Sequence, residues 1–307
     1  MLVYKKGVFM DKVQIETVRN SVMNEPLLEP NPSVAQLLPG IVDAQKGSIY
    51  YGTGLCTPKY LSVGLPFDVL GMILVAEKFR KLLNLDAIYH VIADTHAKSN
   101  DFCTPEDVDH LARETKSVLE HVAKKLKLEK FHVILSSEYD QTPEYQKHLS
   151  WTSERTTLHE YVKRELADIL YFNEMRNMVL KIGWITQSGE TPVGNDERLF
   201  DQELRRLSDV PVSFFYLKAG RTFDKNRPKA SPYISIPGEN RLLLKYDEPV
   251  KEKMLKAEVD LQDKTLGGAK KYLASIVRLY ETTYGRIEDT NSLEDKISRI
   301  INLVCQP

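Results

Sequence analysis

The sequence predicts an α/β protein: a doubly wound parallel sheet followed by a small helical C-terminal domain. Three observations predict it. Strand-like runs such as residues 87–93 (AIYHVIA) are apolar throughout, as in a sheet covered on both faces. Helical patterns separate these runs at spacings that suit βαβ crossovers. After Asp247 the strand-like runs stop and only helical patterns remain.

Residues 11–24 read as a short helix, and 25–39 as a loop rich in Pro and Asn. Residues 48–53 are a short β-like run ending among Gly52 and Gly54. Residues 64–83 form a helix that is apolar on most faces and therefore buried. A second strand spans 87–93. Residues 105–128 form an amphipathic helix, with Val108, Leu111, Ala112, Val118, Leu119 and Val122 on one stripe. Residues 131–135 are the third strand. Segments 143–149 and 157–182 read as helical, 197–207 as a helix and 211–217 as a strand. Helices at 248–259, 268–283 and 292–305 complete the chain, punctuated by Gly267, Gly268 and Gly285. The division expected is an N-terminal extension (1–46), a nucleotide-binding domain (47–235) and a helical domain (236–307).

The 307 residues carry a net charge of −1 and are 42% hydrophobic, which excludes disordered and collagen-like classes. The longest apolar stretches fall far short of a membrane span. The N-terminus lacks the apolar segment of a signal peptide. Three cysteines, Cys56, Cys103 and Cys305, form no paired framework. A reduced, cytoplasmic setting is the simplest expectation. From Lys218 onward the chain holds 17 basic and 13 acidic residues, so its last part is mildly basic. That suits nucleic-acid phosphates, and equally a solvated mixed-charge surface.

Ligands of such sheets lie at the carboxyl ends of the strands, at the switch in strand order. Four constellations fall near such ends. The first is Tyr50-Tyr51-Gly52-Thr53-Gly54, followed by Ser62-Val63-Gly64-Leu65 opening a helix. Glycines there allow close backbone approach, and the helix start offers N–H groups to phosphate. It matches neither GxxxxGK[ST] nor GxGxxG, and a plain strand-to-helix turn reads the same way. The second is Ala93-Asp94-Thr95-His96-Ala97, a carboxylate and an imidazole at a strand end, or an Asp that caps the next segment. Asp94, His96 and Cys103 are the one short metal-like cluster. Nothing matches zinc-ligand spacing, so no metal is expected. The third is Gly194-Asn195-Asp196-Glu197, a carboxylate for ribose hydroxyls or an ammonium, or a helix cap. The fourth is Arg227-Pro228-Lys229-Ala230-Ser231-Pro232-Tyr233, a basic loop that could clamp a polyphosphate or simply be solvated.

In this order, the pieces resemble a class I aminoacyl-tRNA synthetase of the tyrosyl/tryptophanyl type, over about residues 48–257. Ile49-Tyr50-Tyr51-Gly52 resembles that family's first strand, and Ala93 to Ala97 its A-D-x-H-A strand end. Ser136-Ser137-Glu138-Tyr139 resembles its G-S-E-[FY] segment, and Gly194 to Glu197 its G-G-x-D-Q element. Residues 247–257 resemble the stretch after the KMSKS loop. The resemblance implies a Rossmann-like (HUP) fold, ATP with Mg²⁺ as cofactor, an amino acid or other small carboxylic acid as substrate, tRNA or another RNA as partner, and a homodimer. It does not imply a membrane partner.

It also implies roles. Lys229, Ser231 and Ser62 would be catalytic. Gly52, Gly54, Gly64, Gly194 and Asp196 would hold the nucleotide. Tyr50, Asp94, His96, Tyr171 and Glu197 would face the substrate. Departures fall on the signatures: the HIGH element maps onto Ser62-Val63-Gly64-Leu65 without its histidines, and the KMSKS loop keeps only Lys229 and Ser231. The tyrosine pocket's Tyr-x3-Gln-x2-Asp helix is placed on Tyr171, Met175 and Met178, so its polar readers are expected to be lost and tyrosine rejected. The expected activity is adenylate formation from ATP with a substrate other than tyrosine. The alternative is an inactive paralogue that binds nucleotide, RNA or a protein partner.

Overall fold

Among the described residues five strands, all parallel, hydrogen-bond in the order β3-β2-β1-β4-β5. The computed structural model describes residues 12–29, 47–54, 67–98, 105–185, 197–218, 268–288, 290 and 292–305. Helix α1 is Lys12–Met23, β1 is Ser48–Gly54, α2 is Phe67–Leu82 and β2 is Ala87–Ala93. A short α3, Asp94–Lys98, follows directly, then α4, Pro105–Lys125, and β3, Phe131–Leu135. Helices α5 (Pro143–Arg155) and α6 (Glu160–Arg176) lead to β4, Met178–Ile185. Then come α7 (Glu197–Leu207), β5 (Ser213–Lys218), α8 (Gly268–Tyr284) and α9 (Leu293–Cys305).

Alternation along β1 builds a core on each face of the sheet. Ile49 and Tyr51 join one cluster with Leu70, Ile73 and Phe79 of α2, Val118 and Leu119 of α4, and Ile276 and Ile300 of α8 and α9. Tyr50 joins the other, with Val162, Leu166 and Ile169 of α6, Phe200 of α7 and Phe214 of β5. Helices thus cover both faces, as the doubly wound class requires. The helices beyond residue 268 add their apolar stripes to the core of the first face. Among the described residues no helix is long and apolar enough to cross a membrane.

One element corrects the sequence reading. Residues 157–182 were expected to be a single helix, but α6 stops at Arg176 and β4 begins at Met178. Asn177 turns between them in the left-handed conformation (φ 49°, ψ 44°), a helix C-terminal cap. The apolar run from Met178 continues the helical pattern without a break, so periodicity alone could not show the boundary. Without β4 the sheet would lack its switch point, since the chain leaves β1 for β2 and β3 and returns beside β1 at β4. The expected helix at 248–259 lies outside the described residues.

The first face carries a buried imidazole. His90 is fully buried, with Nε2 2.8 Å from Thr53 Oγ1 and Nδ1 without a partner. Burial pushes its pKa from 6.5 down to about 3. The folded state therefore holds His90 neutral. Its stabilising contribution is complete above pH 6.5 and falls by about 1.4 kcal/mol per pH unit from there towards pH 3. Urea unfolding at pH 7 and pH 5 is expected to show a steeper loss in the native protein than in His90→Gln. Equal losses in both would exclude His90 as the source.

Candidate functional site

The switch point places β1 beside β4, and the residues that meet there come from β1, α3, the turn after β3, α6 and β4. Tyr50 of β1 lies opposite Lys181 of β4 in the parallel register. Both side chains are 1% exposed, and the Lys181 ammonium stands 5.3 Å from the Tyr50 ring and 5.4 Å from the Phe200 ring. Across from them α6 presents Tyr161, Glu165 and Asp168, which share one face because their spacings are four and three residues.

These groups form one buried polar cluster in an otherwise apolar face. The Tyr139 hydroxyl donates to Asp168 Oδ1 at 2.9 Å, and the Tyr50 hydroxyl to Asp168 Oδ2 at 3.4 Å. Lys181 Nζ donates to Glu165 Oε1 at 2.8 Å. His96 of α3 sets Nε2 4.0 Å from Asp168 Oδ2 and packs edge-on against Tyr161. Burial and the neighbouring Glu165 carboxylate hold the Asp168 carboxyl well above the usual range. Burial pushes His96 down, so its imidazole is neutral, and pushes the Tyr139 phenol up.

Most of the expected site residues find distinct places. Tyr50 and His96 meet in the cluster. Asp94 is buried, but its Oδ1 accepts from Ser136 Oγ (2.7 Å) and the Ser137 amide (3.0 Å). That carboxylate ties the end of β2 to the turn after β3. Gly52 lies beside the site: a Cβ there would stand 3.6 Å from the Tyr50 hydroxyl oxygen. Gly54 ends β1 opposite Ala93. Glu197 opens α7, but its side chain is outside the described part. Ser62, Gly64, Gly194, Asp196, Lys229 and Ser231 all lie outside the described residues.

The placement of the Tyr-x3-Gln-x2-Asp pattern on Tyr171, Met175 and Met178 does not describe this cluster. Tyr171 is buried and stacks on Tyr139 with ring centres 5.0 Å apart, but Met175 is 44% exposed and Met178 starts β4. The same spacing occurs ten residues earlier, as Tyr161-x3-Glu165-x2-Asp168, and those side chains reach His96 and Tyr50. The sequence carried that signal. Reading 157–182 as one helix left both placements open. That spacing puts Glu165 where the pattern has Gln, with Lys181 beside it.

No protein-family model matches the chain, and no curated protein sequence matches it. Solved structures do. Tyrosyl-tRNA synthetase from Aeropyrum pernix is 12% identical, with a TM-score of 0.59 over 95% of this chain and 94% of that one. The Archaeoglobus fulgidus tyrosyl-tRNA synthetase complexed with L-tyrosine is 16% identical, with a TM-score of 0.54 over 96% and 95%. The Plasmodium falciparum tryptophanyl-tRNA synthetase is 13% identical, with a TM-score of 0.57 over 97% and 88%. Together with the parallel order β3-β2-β1-β4-β5, this identifies the chain's architecture as the Rossmann-like fold of the tyrosyl and tryptophanyl-tRNA synthetases.

Proposed function

We propose that the chain is an ATP-dependent, adenylate-forming ligase that activates an amino acid with a polar group at the end of its side chain. One observation carries this reading: the phenols of Tyr50 and Tyr139 converge on the Asp168 carboxylate beside the switch point. A buried polar end in an apolar wall selects by hydrogen bonding, because a ligand lacking the matching group leaves buried polar atoms unpaired. Tyrosine, bound in the Archaeoglobus fulgidus structure, is the first amino acid to test.

Adenylate formation joins a substrate carboxylate oxygen to the α-phosphorus of ATP and releases pyrophosphate. The protein's part is alignment and charge stabilisation. Lys229 and Ser231 are assigned to the phosphates, Gly194 and Asp196 to the ribose, and Ser62 and the amides before Gly64 to neutral hydrogen bonds. Mg²⁺ would arrive with ATP. The lost HIGH histidines point to a slow reaction, since each missing transition-state donor costs about 10²–10³ in rate. Transfer to tRNA, a homodimeric assembly and a cytoplasmic location belong to the same reading.

The test is ATP–pyrophosphate exchange by the purified chain against all twenty amino acids, with calorimetry for ATP and each amino acid. Exchange with one amino acid is the expected result. Binding of ATP without exchange would instead mark an inactive paralogue that keeps the cleft. Absence of both would remove the ligase reading.

A further inference from the structure

His96 is the anomaly of the cluster. It is 8% exposed and its Nδ1 has no hydrogen-bond partner. Its Nε2 stands 4.0 Å from Asp168 Oδ2, beyond hydrogen-bond reach. A buried imidazole nitrogen without a partner is rare and marks a missing one. Two buried carboxylates, Glu165 and Asp168, face the same point, and one donor atom from each of the three residues lies within 4.8 Å of the others.

Every carboxylate in this set is held from behind. Tyr139 anchors Asp168 Oδ1, leaving Oδ2, with its long 3.4 Å contact to Tyr50, towards His96. Lys181 anchors one oxygen of Glu165. Outer partners that fix the free lone pairs inward are what a metal site needs. We propose that His96, Glu165 and Asp168 bind one divalent transition-metal ion, with zinc the best fit to an imidazole and two carboxylates.

The fit can be gauged. Tetrahedral ligands at about 2.1 Å from zinc stand about 3.4 Å apart. The three donor atoms lie within 4.8 Å of one another, with His96 and Asp168 4.0 Å apart, so the set needs to close by about 0.6 Å at that pair and by up to about 1.4 Å elsewhere. Zinc held by three protein ligands keeps a fourth position open for a water or for a group of the ligand. The three ligands are separated by 69 and three residues along the chain, so no spacing motif announces them.

This inference rests on the proposed pocket only for what the fourth ligand is; metal binding itself is read without ATP or amino acid. The full chain is stripped with chelator and titrated with Zn²⁺ by calorimetry, and with Co²⁺ by visible absorption. One equivalent and a low-coordinate Co²⁺ spectrum are expected. His96→Gln and Asp168→Asn are expected to abolish both, and Tyr139→Phe to weaken binding by about 10–100-fold. His110→Gln, which breaks the exposed His110–Glu114 pair, is expected to change nothing. Thermal unfolding of each variant checks that the fold persists. Failure to bind one equivalent, or binding that survives in folded His96→Gln and Asp168→Asn, overturns the site. Metal binding without any exchange would remove the ligase reading and leave the site standing; exchange by metal-free protein, unaffected by added Zn²⁺, would do the reverse for its role there.

Discussion

Lys181→Met is expected to destabilise the protein by about 3–5 kcal/mol, the cost of removing one partner from a buried ion pair. Lys181 is 1% exposed, and its ammonium is 2.8 Å from Glu165 Oε1, whose side chain is 8% exposed. Without Lys181, Glu165 and Asp168 face each other in a low-dielectric wall with no cation between them. The change in volume is small, since Met replaces a chain of similar length, so the loss reports charge rather than packing. Replacing both partners, Lys181→Met with Glu165→Met, is expected to recover most of the loss, because two neutral side chains leave nothing unpaired. Urea unfolding of the two single variants and the double variant forms the cycle. A loss below about 1 kcal/mol for Lys181→Met would mean that water reaches Glu165 in solution.

Asp168→Asn is expected to lower amino-acid activation by about 10–150-fold, the equivalent of the 1.5–3 kcal/mol carried by a hydrogen bond to a charged group. The same change is expected to leave stability unchanged or to raise it. Asp168 is fully buried and repelled by Glu165, and its pKa is held well above the usual carboxylate range by that burial and repulsion. Removing the charge removes the repulsion, while Asn keeps the shape and still accepts from Tyr139. Function lost with stability kept is the signature of a carboxylate placed for a ligand rather than for the fold. The paired readout is exchange, or amino-acid affinity by calorimetry, set against the midpoint of thermal unfolding. If Asp168→Asn lowered stability and activation in proportion, the residue would be structural. Tyr50→Phe should show a smaller loss, since its contact with Asp168 is the longer one at 3.4 Å.

The two expectations are linked through α6. Its face of Tyr161, Glu165 and Asp168 meets four other segments: β1 through Tyr50, α3 through His96, the turn after β3 through Tyr139, and β4 through Lys181. Each contact satisfies or charges a group that would be costly to bury alone. The helix is in this sense the floor on which the polar end is assembled. The other face of the sheet shows the contrast. There His90 is kept neutral and Thr53 is its hydrogen-bond partner, with no charged partner in the structure. Glu25 and Glu77 are also buried on that side, paired with Lys78 and Arg80 of α2, whereas the cluster of His96, Glu165, Asp168 and Lys181 lies where the strand order reverses, which is where ligands of open α/β sheets bind.

The sequence by itself determined the class of the fold and four of the five strands, because continuous apolar runs and helical periodicity are local signals. It also placed Tyr50 inside a strand pattern and His96 just after one. It could not show β4, whose apolar start at Met178 extends the preceding helical pattern until Asn177 breaks it in a left-handed turn. With α6 running on to residue 182, Tyr171-x3-Met175-x2-Met178 and Tyr161-x3-Glu165-x2-Asp168 both lie on the helix; with α6 ending at Arg176, Met178 belongs to β4 and only the second set lies wholly on the helix. The pairing of Lys181 with Glu165, the convergence of two phenols on Asp168, and the approach of His96 from 72 residues away were decided only by tertiary structure. The physical reason is that burial sets the roles of these groups. A carboxylate or imidazole in a sequence is merely polar, and it becomes a site when the sheet and α6 close around it and leave it a few ångströms from its partners.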